Sequence, residues 1–149
     1  MAVKAINDQR DIESIIRRAS VCRLAMCDEG IPYVVPLGFG YEGKSLFFHT
    51  AKAGKKLDIL KKNSRVCFEI DIDVETLRHD EPCQWEMRYK SVIGSGRARF
   101  VHDPEEKRRA LDVILRQYTD GSFAYPEEKI ASTMIIKVEI ESMTGKIHD

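Results

Sequence analysis

Apolar side chains along this chain change their spacing several times, and each change marks an element. Ile12, Ile15, Ile16 and Ala19 recur at helical spacing, with Arg10, Asp11, Glu13, Arg17 and Arg18 between them. This predicts a short amphipathic helix lying on something larger. From Ser20 the period shortens. Residues 21–26 read as a strand, Asp28-Glu29-Gly30 as a turn, and residues 31–41 as a second strand. Pro32 and Pro36 cannot donate to a ladder, so the second strand belongs at an edge, at a bulge, or where the chain leaves the sheet. Glu42-Gly43-Lys44 supplies the next turn and residues 45–49 the third strand. A helix follows over 53–62, with Leu57 and Leu60 inward and Asn63 near its end. In residues 65–73, Val66, Phe68, Ile70 and Ile72 alternate with Cys67, Glu69, Asp71 and Asp73, the pattern of a half-buried antiparallel strand.

Residues 75–82 are polar and read as an exposed excursion. Residues 84–101 form a long strand that Gly94 and Gly96 bend or bulge. Asp103-Pro104-Glu105-Glu106 starts a helix with a side-chain cap and a proline at its first position, and Leu111, Ile114, Leu115 and Tyr118 are its apolar face. Residues 121–129 are loop or short helix, and 134–140 are the last strand, ending near Gly145. The order is helix, three strands, helix, two strands, helix, one strand, in a single domain spanning residues 1–149. Hairpins in place of regular β-α-β units predict a mainly β fold: an antiparallel sheet curled into a β-barrel with peripheral helices.

Composition narrows the function classes. The 149 residues are 43% hydrophobic and carry 24 basic and 24 acidic side chains. No net basic field is available for nonspecific nucleic-acid binding, so any anion site is a local cluster. No run reaches the roughly 18 apolar residues of a membrane span. Residues 1–18 are broken by charges and do not read as a secretory signal, so a cytoplasmic protein is expected. Cys22, Cys27, Cys67 and Cys83 form no C-x-x-C pair. Cys22 and Cys27, five apart on a strand, face opposite ways, and reduced, partly buried thiols are expected.

The stretch Phe48-His49-Thr50-Ala51-Lys52-Ala53-Gly54-Lys55-Lys56 carries the strongest chemical signal. A strand ends, a hydroxyl follows, and a glycine with paired lysines opens a helix whose first-turn N–H groups lack partners. That combination suits a phosphate, although a solvated helix face holding lysines has the same appearance. It is not a P-loop, which needs a different glycine spacing and a Lys-Ser/Thr pair.

Three motifs in order set a resemblance. Thr50-x-x-x-Gly54-Lys55-Lys56 resembles the phosphate-binding Thr-x-x-x-Ser-Arg-Lys segment of the pyridoxamine 5′-phosphate oxidases. The segment from Gly30 to Leu37 is similar to the strand whose backbone runs along the flavin in that superfamily. The segment from Tyr89 to Ala98 is similar to the strand that reaches the flavin from the second subunit. The nearest branch contains the Nim-type nitroimidazole-resistance proteins, which share Pro-Tyr-Val-Val-Pro-Leu-x-Phe-Gly-Tyr, His-x-Ala-x-x-Gly-Lys-Lys and Ser-Val-Ile-x-x-Gly.

The resemblance implies an FMN-binding split β-barrel and a homodimer. It also implies that Thr50, Lys55 and Lys56, helped by Lys52, hold the phosphate. Val34, Val35, Pro36 and Leu37 would line the ring system, and Tyr89 and Ser91 would approach from the partner chain. Val35 stands where the true oxidases carry an arginine, and residues 145–149 lack their C-terminal arginine segment, so oxidation of pyridoxamine phosphate is not expected.

His49 is open to two readings: a proton donor or cofactor contact at the flavin, as a histidine at the matching place of the Nim-type branch suggests, or a packed histidine held by a backbone bond. His79, His102 and His148 read as surface residues without metal-ligand spacing. Trp85 suits ligand stacking or a dimer seam equally, and Glu69 with Asp71 reads as a pair of solvated charges. The expected function is an FMN-dependent oxidoreductase, supplied by NAD(P)H and reducing small electrophiles such as nitroaromatics or quinones. The alternative is a flavin- or haem-binding carrier, sensor or sink without turnover.

Overall fold

The inward row Val66, Phe68, Ile70 and Ile72 builds the centre of the molecule, each side chain no more than 8% exposed. Burying such side chains stabilises the fold by about 1.5–3 kcal/mol apiece. The computed structural model describes residues 3–149. Its strands are β1 (Val3–Ile6), β2 (Cys22–Asp28), β3 (Ile31–Leu37), β4 (Gly40–Glu42), β5 (Ser45–Ala51), β6 (Arg65–Leu77), β7 (Glu86–Val101) and β8 (Thr133–His148). The helices are α1 (Gln9–Arg18), α2 (Lys55–Lys62), α3 (Pro104–Arg116) and α4 (Glu127–Ser132). All strand pairs are antiparallel, in the order β3-β2-β6-β7-β8-β5-β4, with β1 also on β8. Among the described residues no pair joins β3 to β4, so the sheet is not closed.

β8 is the seam of the sheet. One of its edges pairs with β7 along most of its length, while the other pairs first with β5 and then with β1. The β7–β8 register shifts between Ser95 and Gly96, leaving Glu141 as the extra residue. Met134, Ile136 and Val138 therefore face the main core before the bulge, and Met143, Gly145 and Ile147 do so after it. The bend predicted at Gly94 and Gly96 falls at this place. A Cβ on Gly96 would lie 2.2 Å from the Glu139 carbonyl oxygen, and one on Gly94 would lie 2.4 Å from the Phe68 ring, so the strands approach too closely for a side chain.

α1 is capped by Asp8, whose Oδ1 accepts the Arg10 N–H at 2.8 Å, and it buries Ile12, Ile15 and Ile16 in the sheet. Asp103 caps α3 by accepting the Glu106 N–H at 3.0 Å, with Pro104 at its first position, as the sequence predicts. α3 covers the opposite face of β5, β7 and β8, packing Ala110 and Ile114 on Val101, Ile135 and Phe47.

Two expectations are corrected. The chain forms β1 and β4, which the apolar pattern did not announce. The excursion expected over 75–82 begins as strand: after Asp73, at φ 55°, pairing resumes at Glu75↔Arg88 and runs to Leu77↔Glu86. β6 and β7 thus extend as an arm, and only its tip is irregular. Both arm strands are largely exposed, so no alternation marks them.

Candidate functional site

β3 pairs with β2 alone, and its other edge has no strand beside it among the described residues. Pro32 and Pro36, four apart and therefore alike in orientation, suit that edge. Tyr33, Val35 and Leu37 turn toward the core opposite Met26, Leu24 and Cys22. Val34 and Pro36 face outward, and Val34 is 60% exposed. Val35 thus contributes packing where an arginine was absent by motif, and no charge.

The β5–α2 connection comes to the same place. Lys55 Nζ stands 4.4 Å from the centroid of the Tyr33 ring. At its other end α2 is tied to the β2–β3 hairpin, where Asn63 Nδ2 donates to Cys27 O at 3.2 Å and Lys62 pairs with Asp28 at 3.7 Å. That is the only ion pair α2 makes among the described residues, so Lys55 and Lys56 have no carboxylate partner. Gly54, the N-cap, sits at φ 149° and ψ 171° and supplies no side-chain bond to the first turn. This region of backbone space is essentially glycine's. The uncapped amides, the Lys55 and Lys56 ammoniums and the half-buried Thr50 hydroxyl lie within one short stretch of chain and make a candidate anion cradle. Gly54→Ala is expected to lower stability by about 1–3 kcal/mol. No atom lies within 4 Å of the added Cβ, so the loss is backbone strain, measurable by denaturant titration.

His49 parts from this cradle. Thr50 pairs with Met134 on the core side of β5, whereas His49 pairs with Ile135 on the other side and is exposed. His49 and Thr50 therefore present their side chains on opposite faces. Lys52 is near enough to Lys107 to lower that ammonium's pKa, after burial as the main cause. Lys107 itself is buried and donates to Ile130 O at 3.1 Å.

Tyr89 and Ser91 are not brought to the cradle within one chain. The row holding Val34, next to the Tyr33 on which Lys55 rests, crosses β2 at Ala25, β6 at Cys67 and β7 at Ser95, so Ser91 lies four and Tyr89 six residues further along the strand, about 13 and 20 Å at roughly 3.3 Å per residue. Tyr89 instead packs on His148, with ring centroids 5.3 Å apart. His148 Nδ1 is buried with no hydrogen-bond partner, which corrects its reading as a surface residue. The signal for it was absent because strand alternation is interrupted at Glu141.

Trp85 does not reach Tyr89 either. Its Nε1 donates to His79 O at 2.6 Å and Arg78 lies over its ring at 5.2 Å, closing the tip of the arm.

The outward face of β3, β2, β6 and β7 carries Val34, Pro36, Arg23, Glu69 and Ile93 in adjoining rows. Arg23 Nη1 donates to Glu69 Oε1 at 3.2 Å and to Asp71 Oδ2 at 2.9 Å, so these acids are bridged, not simply solvated. Burial, then the bond and charge of Asp71, push the Glu69 carboxyl up from 4.5 to about 7 against the pull of Arg23. The folded chain keeps this proton where the unfolded chain has lost it. Stability therefore falls as pH rises from 4.5 to about 7 and levels off above. With the side chain 33% exposed, screening limits the effect to about 1 kcal/mol. Thermal melts across this range should show the slope in the parent chain and lose it in Glu69→Gln.

Burial also pushes the Cys22 thiol up to about 12. Cys67 and Cys83 are exposed, more open than expected. Among the described residues no three His, Cys, Asp or Glu side chains gather to hold a metal, and no helix is long and apolar enough to cross a membrane.

The family model described as pyridoxamine 5′-phosphate oxidase matches residues 8–147. The chain belongs to the pyridoxamine 5′-phosphate oxidase family. Within this family's fold it is similar to a candidate 5-nitroimidazole antibiotic resistance protein of Bacteroides thetaiotaomicron, with 37% identity and a TM-score of 0.87 over 99% of this chain and 89% of that one. A FAD-binding protein of Mesorhizobium loti shares the fold at 24% identity and a TM-score of 0.73, covering 100% of both chains. A FAD- and haem-binding protein of Mycobacterium smegmatis does so at 18% identity and a TM-score of 0.87, over 98% of this chain and 74% of that one. An uncharacterized protein of Rhizobium meliloti (strain 1021) is 26% identical over 92 residues, 62% of this chain, and the match spans about half (54%) of that relative. The motifs that carry the family resemblance in the sequence all lie within the matched residues.

Proposed function

We propose that the chain is a flavoprotein that binds FMN between two copies of itself and reduces small electrophiles such as nitroaromatics or quinones, with NAD(P)H as donor. The observation that carries this reading is the cradle at Gly54–Lys56, held against the open edge of β3 by Lys55 over Tyr33. The residues present fit a flavin phosphate: a hydroxyl, two ammoniums without carboxylate partners and an uncapped helix start. Thr50, Lys55 and Lys56 hold the phosphate, with Lys52 at the rim. The backbone of Val34, Val35, Pro36 and Leu37 offers an unpaired edge to the ring system, and its outward side chains shield that ring from water. Tyr89 of the partner subunit and Ser91 of the partner subunit complete the site from the other copy. When bound, the flavin supplies hydride transfer, and the protein supplies orientation and solvent exclusion. His49 leaves β5 on the face opposite Thr50, which favours a role outside proton donation to a ligand seated at Thr50.

Kinship with the nitroimidazole-resistance protein supports the choice of electrophile, and the flavin-binding neighbours support the cofactor. The test is the absorption spectrum of the purified chain, followed by chromatography of the released flavin and turnover with NADH or NADPH and a panel of nitroaromatics and quinones. FMN bands and turnover are the expected result. A Soret band or released FAD would replace the cofactor, and bound flavin without turnover would leave a carrier or sensor.

A further inference from the structure

A second cavity lies on the other side of the sheet, between α3 and the strands β5, β7 and β8, with a volume near 310 Å³. It is separate from the cradle. Ser45 and Phe47, its β5 residues, share a strand face with His49, opposite the face of Thr50, and lie toward the β4–β5 turn. Its floor is apolar, made by Phe47 and Val101, and Ala110 and Val113 of α3 form an apolar wall.

The polar groups around this floor are not balanced. Arg99 is held by Glu139 at 3.2 Å and by Glu106 at 3.7 Å, and Glu42 is held by Arg116 at 3.0 Å. Arg109 and Lys137 line the same cavity with no carboxylate partner among the described residues. Lys137 Nζ stands 5.6 Å from the Phe47 ring centroid, over the apolar floor. Ser45 is 7% exposed, lines the cavity and has no side-chain hydrogen bond among the described residues. The Ser45 hydroxyl and the two unpaired cations open onto the cavity over an apolar floor, a set of donors that an anion with an apolar body can satisfy together. The paired acids Glu42 and Glu106 at the rim weigh against a dianion.

We infer that this cavity is a binding site for a small amphipathic monoanion, an aromatic carboxylate whose ring lies on Phe47 and Val101 and whose carboxylate meets Arg109, Lys137 and Ser45. Arg109 provides a forked donor matched to a carboxylate, Lys137 a second charge and Ser45 a hydroxyl. A cavity of this size lies at the lower end of the range for small-molecule sites, which suits a two-ring ligand.

The test titrates the full chain with naphthalene-2-carboxylate, with its neutral analogue 2-naphthalenemethanol and with inorganic phosphate, following backbone amide shifts by NMR. The carboxylate should shift the amides of Ser45, Phe47, Arg109 and Ala110 and bind at least about tenfold more tightly than the alcohol. Arg109→Gln, at the surface, and Lys137→Gln, half-buried without an ion-pair partner among the described residues, should keep the melting temperature. Each should weaken the carboxylate by roughly ten- to a hundredfold and leave the alcohol unchanged. Equal affinity for carboxylate and alcohol, shifts centred on Tyr33 and Lys55, or preference for phosphate would each overturn the assignment. These readouts need no flavin, so their failure is distinct from failure of the cofactor reading.

Discussion

Replacing Lys55 by alanine will weaken FMN by roughly ten- to a hundredfold while riboflavin affinity stays nearly constant. A well-placed charge-assisted bond to phosphate contributes about 1.5–3 kcal/mol, which is this range in affinity. Lys55 is fixed at the start of α2, its ammonium 4.4 Å from the Tyr33 ring centroid and without a carboxylate partner. Riboflavin lacks the phosphate, so it reports whether the change disturbs the ring site alone. Lys55→Met keeps the aliphatic stem and should match the alanine variant if charge is what matters. Flavin fluorescence titrations of both ligands decide it. Equal losses would mean that Lys55 anchors α2 on β3 and that the phosphate lies elsewhere.

Ile93→Asp should split the proposed dimer at micromolar concentration and lower flavin affinity by at least about a hundredfold. Ile93 is 51% exposed at the middle of β7's outward face, in the row of Glu69 and Thr144, while Val34 on the same side of the sheet is 60% exposed. Large apolar side chains gathered on one sheet face mark an association surface. An unpaired carboxylate forced into such an interface costs about 3–5 kcal/mol. Sedimentation velocity with circular dichroism on the same sample separates dissociation from unfolding. A variant that stays dimeric would move the interface off this face, and a parent chain that is monomeric with flavin bound would end the shared-site proposal.

The sequence made some of these features readable and hid others for physical reasons. Asp103-Pro104 announced α3 because a cap and a proline act locally, whatever the rest of the fold does. β6 was readable as far as Asp73 because one face is buried. Beyond Asp73 both faces of the arm meet solvent, so nothing in the pattern distinguishes strand from loop. The candidate cradle's backbone was readable from Thr50 to Lys56, since a strand end, a glycine and a helix start are contiguous. Tyr33 beneath Lys55 was not, because that contact joins segments whose packing no local rule fixes. The placement of His49 could have been found: adjacent strand residues point to opposite faces, so His49 and Thr50 cannot both face one ligand from the strand. Arg23 bridging Glu69 and Asp71 required the β2–β6 register, which no single strand reveals.

β8 pairs with β7 on one edge and with β5 and β1 on the other, yet it is synthesised after all of them. Until residues 133–148 emerge, β1 has no ladder partner, β5 pairs only with β4, and β7 has one edge uncovered. These are long-range pairings, of the kind that slow folding and leave strand edges open to other chains. The nascent chain should therefore gain protease resistance late and abruptly. Chains stalled before Thr133 would be the ones that chaperones hold and that aggregate when unattended.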